Sequence, residues 1–361
     1  MTTIGDITET KEFARFLQLS NQVGSDILKT QGAGGNTSIK AEGVMWVKAS
    51  GTWLAHAGER DIMVPVVVDP LVDALRQGDP RAEKSIDFVV ADLNTSGLRP
   101  SIETSFHAAL INSVVAHYHC VNTIALSVLE RREELLAERM ARIPDLPWTT
   151  IPYRRPGTPL ALEIDKVAKA RPVVLTLFNH GIIVCGDNVE QVADRVEQVA
   201  AALSITPRKT PDPDMTALAA IAEGSDYHPA SDAGSHKTAL CPISMAFALG
   251  GSMYPDHVIF LGTKIGVLDD DRSAIEFAQS YADKGEEAPK IILVPGVGVL
   301  LSGTLTQGGE AMARCLAEVV TRIPEGEKVS YLTAEQEYEL THWEAEQYRQ
   351  ALDRKAAGMT A

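Results

Sequence analysis

An α/β fold is what the sequence predicts, and three observations carry that prediction. Helix-periodic stretches alternate with short β-branched runs along the chain, and glycine-rich or Asn/Gly-flanked turns separate them. One strand, turn, strand, helix pattern also occurs twice. Aligned without a gap from Pro172 on Pro289, Gly181 falls on Gly298 and Gly186 on Gly303. With 361 residues, 45% of them hydrophobic and 22% charged, the chain can bury one large core or two moderate ones.

Taken in order, residues 8–30 have helical periodicity and lead into GAGGNTSIK, a glycine-rich turn ahead of the strand-like VMWVKAS. Pro100 and Ser101 mark a helix start with Ser101 as N-cap, running through ETSFHAALI. VVAHYHCV is short and β-branched, which favours a strand. A charged helical stretch covers 126–140, IPYRRPGTPLA is a loop, and a further helix follows. VVLTLFNHGIIVCG reads as two strands broken at Asn179-His180-Gly181, and NVEQVADRVEQVAAAL as a long helix. Residues 206–237 concentrate Pro, Asp, Ser and Gly, so they read as a linker between a domain over 1–205 and a smaller α/β domain over 238–361. In the smaller domain APKIILVPGVGVLLSG and EAMARCLAEVVTRI repeat the earlier pattern, with Val297 at the place of His180.

Charge and cysteine content narrow the function class. A formal net charge of -15 and a pI near 5.1, with no long Lys/Arg cluster, exclude a nucleic-acid footprint. Cys120, Cys185, Cys241 and Cys315 are scattered without a CxxC pair, so neither a zinc ribbon nor a disulfide framework is expected, and a reducing cytoplasm fits. The N-terminal MTTIGDITETKEFARF has no apolar stretch behind a basic start, and no apolar run approaches the roughly 20 residues of a spanning helix. Secretion and membrane attachment are not expected.

The chemistry concentrates in ETSFHAALINSVVAHYHC, residues 103–120. On a strand, side chains alternate between faces, so His117 and His119 share one face and Tyr118 and Cys120 take the other. Their Cα atoms then lie about 6.6 Å apart, a spacing from which two imidazoles converge on one cation. His180, in a turn that Asn179 and Gly181 let bend, is the third ligand, leaving an open position for chemistry. A lone histidine is more often a hydrogen-bonding group at a core edge; H-x-H with N-H-G is what singles out these three. His107, four residues after Glu103 on one helical face, reads as a supporting partner rather than a ligand. His56, His228, His236, His257 and His342 lack ligand spacing and read as surface or core residues. Glu103 in a first helical turn would favour the helix dipole by about 0.3–1 kcal/mol. Standing ahead of the histidine strand, it also supplies the non-ligand carboxylate that metal-assisted proton transfer needs.

The GGNTS turn, the K-A-S-G segment, the S-x-E helix start, H-Y-H on a strand and the later N-H-G together resemble the class II aldolase/adducin family, over roughly residues 10–205. RPSIET, HYHCVNTIA, PDHV and ILVPGVG look most like the aldolase part of bifunctional rhamnulose-1-phosphate aldolase/dehydrogenase proteins. The resemblance implies a three-layer α/β/α sandwich around a mostly antiparallel sheet, assembled as a homo-oligomer, a tetramer in the family. It implies His117, His119 and His180 as metal ligands, Glu103 as catalytic acid/base, and Asn36, Ser50, Gly51 and Ser101 at the phosphate. A glycine-rich turn such as GAGGNTS can itself form an anion nest, and no G-K-[ST] lysine follows it. The chain departs from the family at Ile102, where short fuculose-type aldolases carry a second serine. It also has no plain counterpart of the tyrosine that protonates the leaving aldehyde, for which Tyr153 and Tyr118 are the candidates.

The expectation is therefore a divalent-metal lyase, with Zn²⁺ or alternatively Mn²⁺ or Co²⁺, that cleaves a carbon–carbon bond of a sugar phosphate or hydroxy-ketone through an enediolate. A pentulose-phosphate 4-epimerase or a decarboxylase uses the same intermediate, and a non-catalytic adducin-like binding module is the reading from another class. The smaller domain is expected to be a degenerate copy without metal ligands.

Overall fold

The structure, a computed structural model, describes residues 7–268, 272–356 and 358. The chain forms two compact units. One holds the chain up to Thr123 together with Glu133–Ser204, the other Ile124–Arg132 and the chain from Ile205 onward.

The first unit is built on seven strands: β1 (Asn36–Ala41), β2 (Val44–Lys48), β3 (Met63–Val67), β4 (Val114–Tyr118), β5 (Trp148–Ile151), β6 (Val174–Leu177) and β7 (Gly181–Gly186). Their order is β3-β2-β1-β4-β7-β6-β5, antiparallel throughout except for the parallel β5/β6 pair. Helix Lys11–Ser25 starts at Thr10, whose hydroxyl accepts from the Phe13 N–H (3.1 Å), and buries Phe13, Phe16, Leu19 and Val23 at helical spacing. Helix Val189–Leu203 starts likewise at Asn188 and buries Val192, Val196 and Val199. Phe13 meets Trp46 of β2 edge-on at 6.3 Å, which seats the first helix on one face of the sheet.

Helices Val68–Gln77, Thr104–Ala109 and Thr158–Ala168 supply the other layer. Their Leu71, Leu75, Phe106, Leu160 and Ile164 share one buried cluster with Met45, Val47, Val64, Val115, Leu175 and Ile183 of the sheet. Each such side chain contributes about 1.5–3 kcal/mol by leaving water. The result is the α/β/α sandwich with a mostly antiparallel sheet that the resemblance implied.

Three elements differ from the sequence reading. GAGGNTSIK is a turn only as far as Gly35; Asn36 onward is β1, because β2 and β4 pair with it from both sides. Ser101 is not the N-cap of the next helix. Ala49 bridges Pro100 and the Ser101 N–H donates to the Lys48 carbonyl (3.0 Å), so this segment is extended and the helix begins at Thr104 with Glu103 as N-cap. The stretch 126–140 divides into Val121–Ser127 and Arg132–Met140, because backbone between them pairs with residues 328–330.

The second unit is a smaller α/β region. Its sheet has the order β8-β11-β10-β9, from β8 (Tyr227–Pro229), β9 (Gly266–Val267), β10 (Ile291–Val294) and β11 (Gly298–Ser302). Leu218, Tyr227, Phe277, Ile292 and Leu300 share its core. The β10, β11 and helix Gln307–Val320 succession follows β6, β7 and Val189–Leu203, with both strand starts offset by 117 residues, Val174 to Ile291 and Gly181 to Gly298, and the helix start by 118. Even the left-handed turn residue recurs, Asn179 (φ 51°) in the first hairpin and Gly296 (φ 74°) in the second. Within 206–237, helix Met215–Ala222 and strand β8 form, and the Asp residues there act as caps: Asp214 accepts from the Ala217 N–H and Asp232 from the Gly234 N–H. Among the described residues no helix is long and apolar enough to cross a membrane.

Candidate metal centre

Strand register assembles the centre. His117 of β4 lies across from Asn36 on β1 and from Ile183 on β7, so these residues share a face. Tyr118 takes the opposite face, fully buried, where burial and the nearby charges of Cys120, Glu197 and Asp26 hold its phenol well above the usual range. That face is turned away from the histidines, which removes Tyr118 as a proton donor to anything bound there. His119 stands just past the end of β4, and His180 in the β6/β7 turn beside the left-handed Asn179.

The backbone has to come close for this to happen. Gly35 has φ 60°, and a Cβ there would lie 2.8 Å from the His117 carbonyl oxygen. A Cβ on Gly181 would lie 2.6 Å from the Tyr118 carbonyl oxygen and 3.2 Å from His119 Cδ2. Both glycines are therefore required by packing around the histidine strand.

The three imidazoles are buried, with ring centroids 5.0, 5.0 and 5.1 Å apart, and one ligand nitrogen of each falls within 4.8 Å of the others. Among the described residues this is the one group of three or more such side chains that could hold an ion. The His117 Nδ1–H donates to the Ile182 carbonyl (3.0 Å), which leaves the Nε2 lone pair of the neutral ring facing the group. His117 Nε2 and His119 Nε2 are 3.2 Å apart. Two nitrogens on a tetrahedral zinc at about 2.0–2.1 Å would stand about 3.3 Å apart, so the donor set fits such an ion.

Glu103 sits against this group, 5% exposed. Its Oε2 is 3.4 Å from His117 Nε2 and its Oε1 is 3.4 Å from His180 Nε2. Asn36 Nδ2 donates to Oε2 (2.8 Å) and to Ser101 Oγ (3.0 Å). The carboxylate only accepts, so the Asn36 amide nitrogen faces it, and Asn36 Oδ1 faces His107 Nε2. Burial, with lesser contributions from His117 and Lys40, holds the His107 imidazole well below its usual pKa, so it carries one N–H. That hydrogen is on Nε2, and Ser38 donates to Nδ1 (2.8 Å). A continuous chain thus runs from Ser38 through His107 and Asn36 to Glu103. At the other end of the same helix, the Lys40 ammonium donates to the Leu110 carbonyl and to that of Asn112 (3.2 Å), and burial pushes its pKa down to about 8.

The residues expected at a phosphate are also brought together. Ser50 N–H donates to the Arg99 carbonyl (3.0 Å) one step along from the Ser101 to Lys48 bond, which sets Ser50 and Gly51 (φ 71°) beside Ser101. Asn36 adjoins them through Ser101, with its amide hydrogens directed to Ser101 and Glu103. Sequence reasoning passed over Lys48, a buried lysine that donates to the Ala33 (2.9 Å) and Thr52 (2.6 Å) carbonyls and so ties the glycine loop to the K-A-S-G turn. Its signal was a cation closing an otherwise apolar strand, VMWVK. His56, His228 and His342 are not part of the group. His236 is a core residue that accepts from the Val299 N–H at Nδ1 (3.0 Å) and donates from Nε2 to the Ala230 carbonyl (3.1 Å).

Comparison with known proteins follows this geometry. The model of the Class II Aldolase and Adducin N-terminal domain matches residues 22–206. A Bacillus subtilis (strain 168) protein named Uncharacterized oxidoreductase YuxG is 26% identical over 183 residues, covering 47% of this chain but only 26% of its own length. An Escherichia coli O6:H1 protein named 3-oxo-tetronate 4-phosphate decarboxylase is 29% identical over 162 residues, 40% of this chain and 72% of that one. A Methanococcus vannielii protein named L-fuculose phosphate aldolase is 27% identical over 167 residues, 46% of this chain and 80% of that one.

Proposed function

The chain belongs to the class II aldolase and adducin family, and from that premise we propose that it is a divalent-metal-dependent lyase cleaving a carbon–carbon bond of a phosphorylated hydroxy-ketone. One observation carries this reading: three buried imidazoles converge beside a carboxylate that Asn36 holds at Oε2. His117, His119 and His180 would hold the ion, Zn²⁺ first and Mn²⁺ or Co²⁺ as alternatives. Bound there, it would supply Lewis-acid polarisation of a substrate oxygen.

The chain's own residues do the rest. Glu103, fixed by Asn36 at one oxygen, moves the proton at Oε1, the oxygen that faces His180. Asn36 serves chiefly to hold that carboxylate, while Ser50 and Ser101 receive the phosphate through their hydroxyls and Gly51 through its backbone N–H. When the bond of a ketose 1-phosphate breaks, the hydroxyl on the departing carbon gives up its proton to become the aldehyde, and the electron pair stays on the carbon beside the carbonyl, so one proton lost from oxygen is balanced by one gained at carbon. Glu103 then delivers a proton to that carbon. The enzyme works in the cytoplasm as a homo-oligomer, a placement supported by four free thiols and by the family resemblance.

A second reading is favoured by the Escherichia coli relative named as a decarboxylase. Loss of CO₂ from a phosphorylated 3-oxo acid leaves the electron pair on the equivalent carbon and needs the same proton from Glu103. The test is to incubate the metal-loaded chain with ketose 1-phosphates and with a 3-oxo-tetronate 4-phosphate, following aldehyde and CO₂ separately. Aldehyde release supports the aldolase, CO₂ release the decarboxylase, and neither product from any phosphorylated substrate overturns the lyase reading.

A further inference from the structure

Lys290 and Arg354 of the second unit line one small cleft of about 40 Å³ with Thr304, Thr306 and Gln350. They come from separate elements. Lys290 immediately precedes β10, Arg354 lies on helix Glu344–Ala356, and the two threonines lie on the connection from β11 to helix Gln307–Val320. Thr306 is the N-cap of that helix, and its hydroxyl accepts from the Gly309 N–H (3.3 Å).

Lys237, Arg314 and Arg322 all pair with the buried Glu318. Lys290 forms no ion pair among the described residues, and neither does Arg354. Burial lowers the Lys290 pKa; Glu287 opposes this and the positive charge of Arg354 adds to it. Lys290 is half-buried and Arg354 exposed, and an arriving anion would relieve the repulsion between these two neighbouring cations.

The cleft also has room beyond the charges. It shares Ile259, Lys290 and Gln350 with an open cleft of about 440 Å³ that reaches Thr263, the Lys264–Glu286 ion pair and Thr341, a polar lining suited to hydroxyl groups. Gln350 Nε2 donates to the Ile259 carbonyl (3.1 Å), which fixes the wall between the two.

We propose that this cleft binds a small phosphate monoester, with Lys290 and Arg354 meeting the phosphoryl group and its hydroxylated body lying along the larger cleft. Two cations match a dianion, and donors from an ammonium, a guanidinium and threonine hydroxyls approach it from different sides, as a tetrahedral group requires and a planar carboxylate does not. The site is separate from the histidine centre and does not rest on the lyase reading.

The test is calorimetric titration of the full chain with glycerol 1-phosphate, in a Ser50→Ala/Ser101→Ala background so that the first unit contributes little. Binding should persist there, weaken by about tenfold or more in Lys290→Met and in the exposed-site variant Arg354→Met, and survive in Lys290→Arg. Malonate should not displace the ligand. Absence of binding in the Ser50→Ala/Ser101→Ala background, unchanged affinity in Arg354→Met, or displacement by malonate at equal concentration would each overturn the proposal. If Lys290→Met does not fold, Arg354→Met and Lys290→Arg still decide it.

Discussion

In the proposed chemistry Glu103 carries the proton, and its contacts with Asn36, His117 and His180 position it for that. Replacing it by Gln keeps the Asn36 contact and the packing while removing the proton carrier. Turnover should fall by about 10²–10⁴ with metal content and melting temperature unchanged; near-normal turnover would return Glu103 to the role of helix N-cap. Asn36→Ala removes the hold on Oε2 without touching a ligand, so kcat should drop by about 10–100-fold at full metal occupancy, a split that steady-state kinetics on the metal-loaded variant reads directly. The histidines were legible from spacing alone, since H-x-H on a strand and N-H-G in a turn are local patterns. The hydrogen bonds joining Ser38, His107, Asn36 and Glu103 were not, because they depend on the register of β1 against β4 and on a helix far away in sequence.

At the scale of elements, backbone proximity and buried charge set the sensitive points. Gly181→Val would drive a side chain into the Tyr118 carbonyl and the His119 ring, so it should cost about 1–3 kcal/mol and lower metal occupancy together. Thermal denaturation and elemental analysis on one preparation check both. In the second unit, burial alone would raise the Glu318 carboxyl, but Arg322, Arg314 and Lys237 outweigh it and hold it below its ordinary value of 4.5. A depressed carboxyl stabilises the fold above that value, and the contribution is lost as pH falls through the lower folded value. Glu318→Gln should therefore flatten the acid limb of stability below pH 4.5. It should also cost roughly 3 kcal/mol at neutral pH, because Arg322 is left buried without its partner; an unchanged acid limb by calorimetry would remove this account. Long periodic helices such as Val189–Leu203 were readable in the sequence, whereas β3, β5 and β8 were missed as three- to five-residue strands whose identity comes from their neighbours. The start of helix Thr104–Ala109 was misplaced because pairing of Pro100 with Ala49 overrode a local cap signal.

Across the whole molecule, one hairpin-and-helix pattern appears in both units in the same register, yet only the first copy carries imidazoles where its turn can offer them. In the second copy Val297 occupies the place of His180, and that substitution was visible in the ungapped alignment of the sequence with itself. The alignment from Pro172 left out the strands around it, which also correspond: β9 pairs parallel with β10 as β5 does with β6, Gly266 opposite Ile292 where Thr149 is opposite Leu175, and β8 flanks β11 as β4 flanks β7. One metal centre per chain, with the proposed lyase chemistry depending on it, is the consequence. Elemental analysis of the full chain, reconstituted with a divalent cation and dialysed, alongside His117→Ala, His119→Ala and His180→Ala, tests this most directly. The expected result is one ion per chain in the wild type and less than about a tenth of that in each variant; a wild type holding none or two, or variants that keep full occupancy, would contradict it.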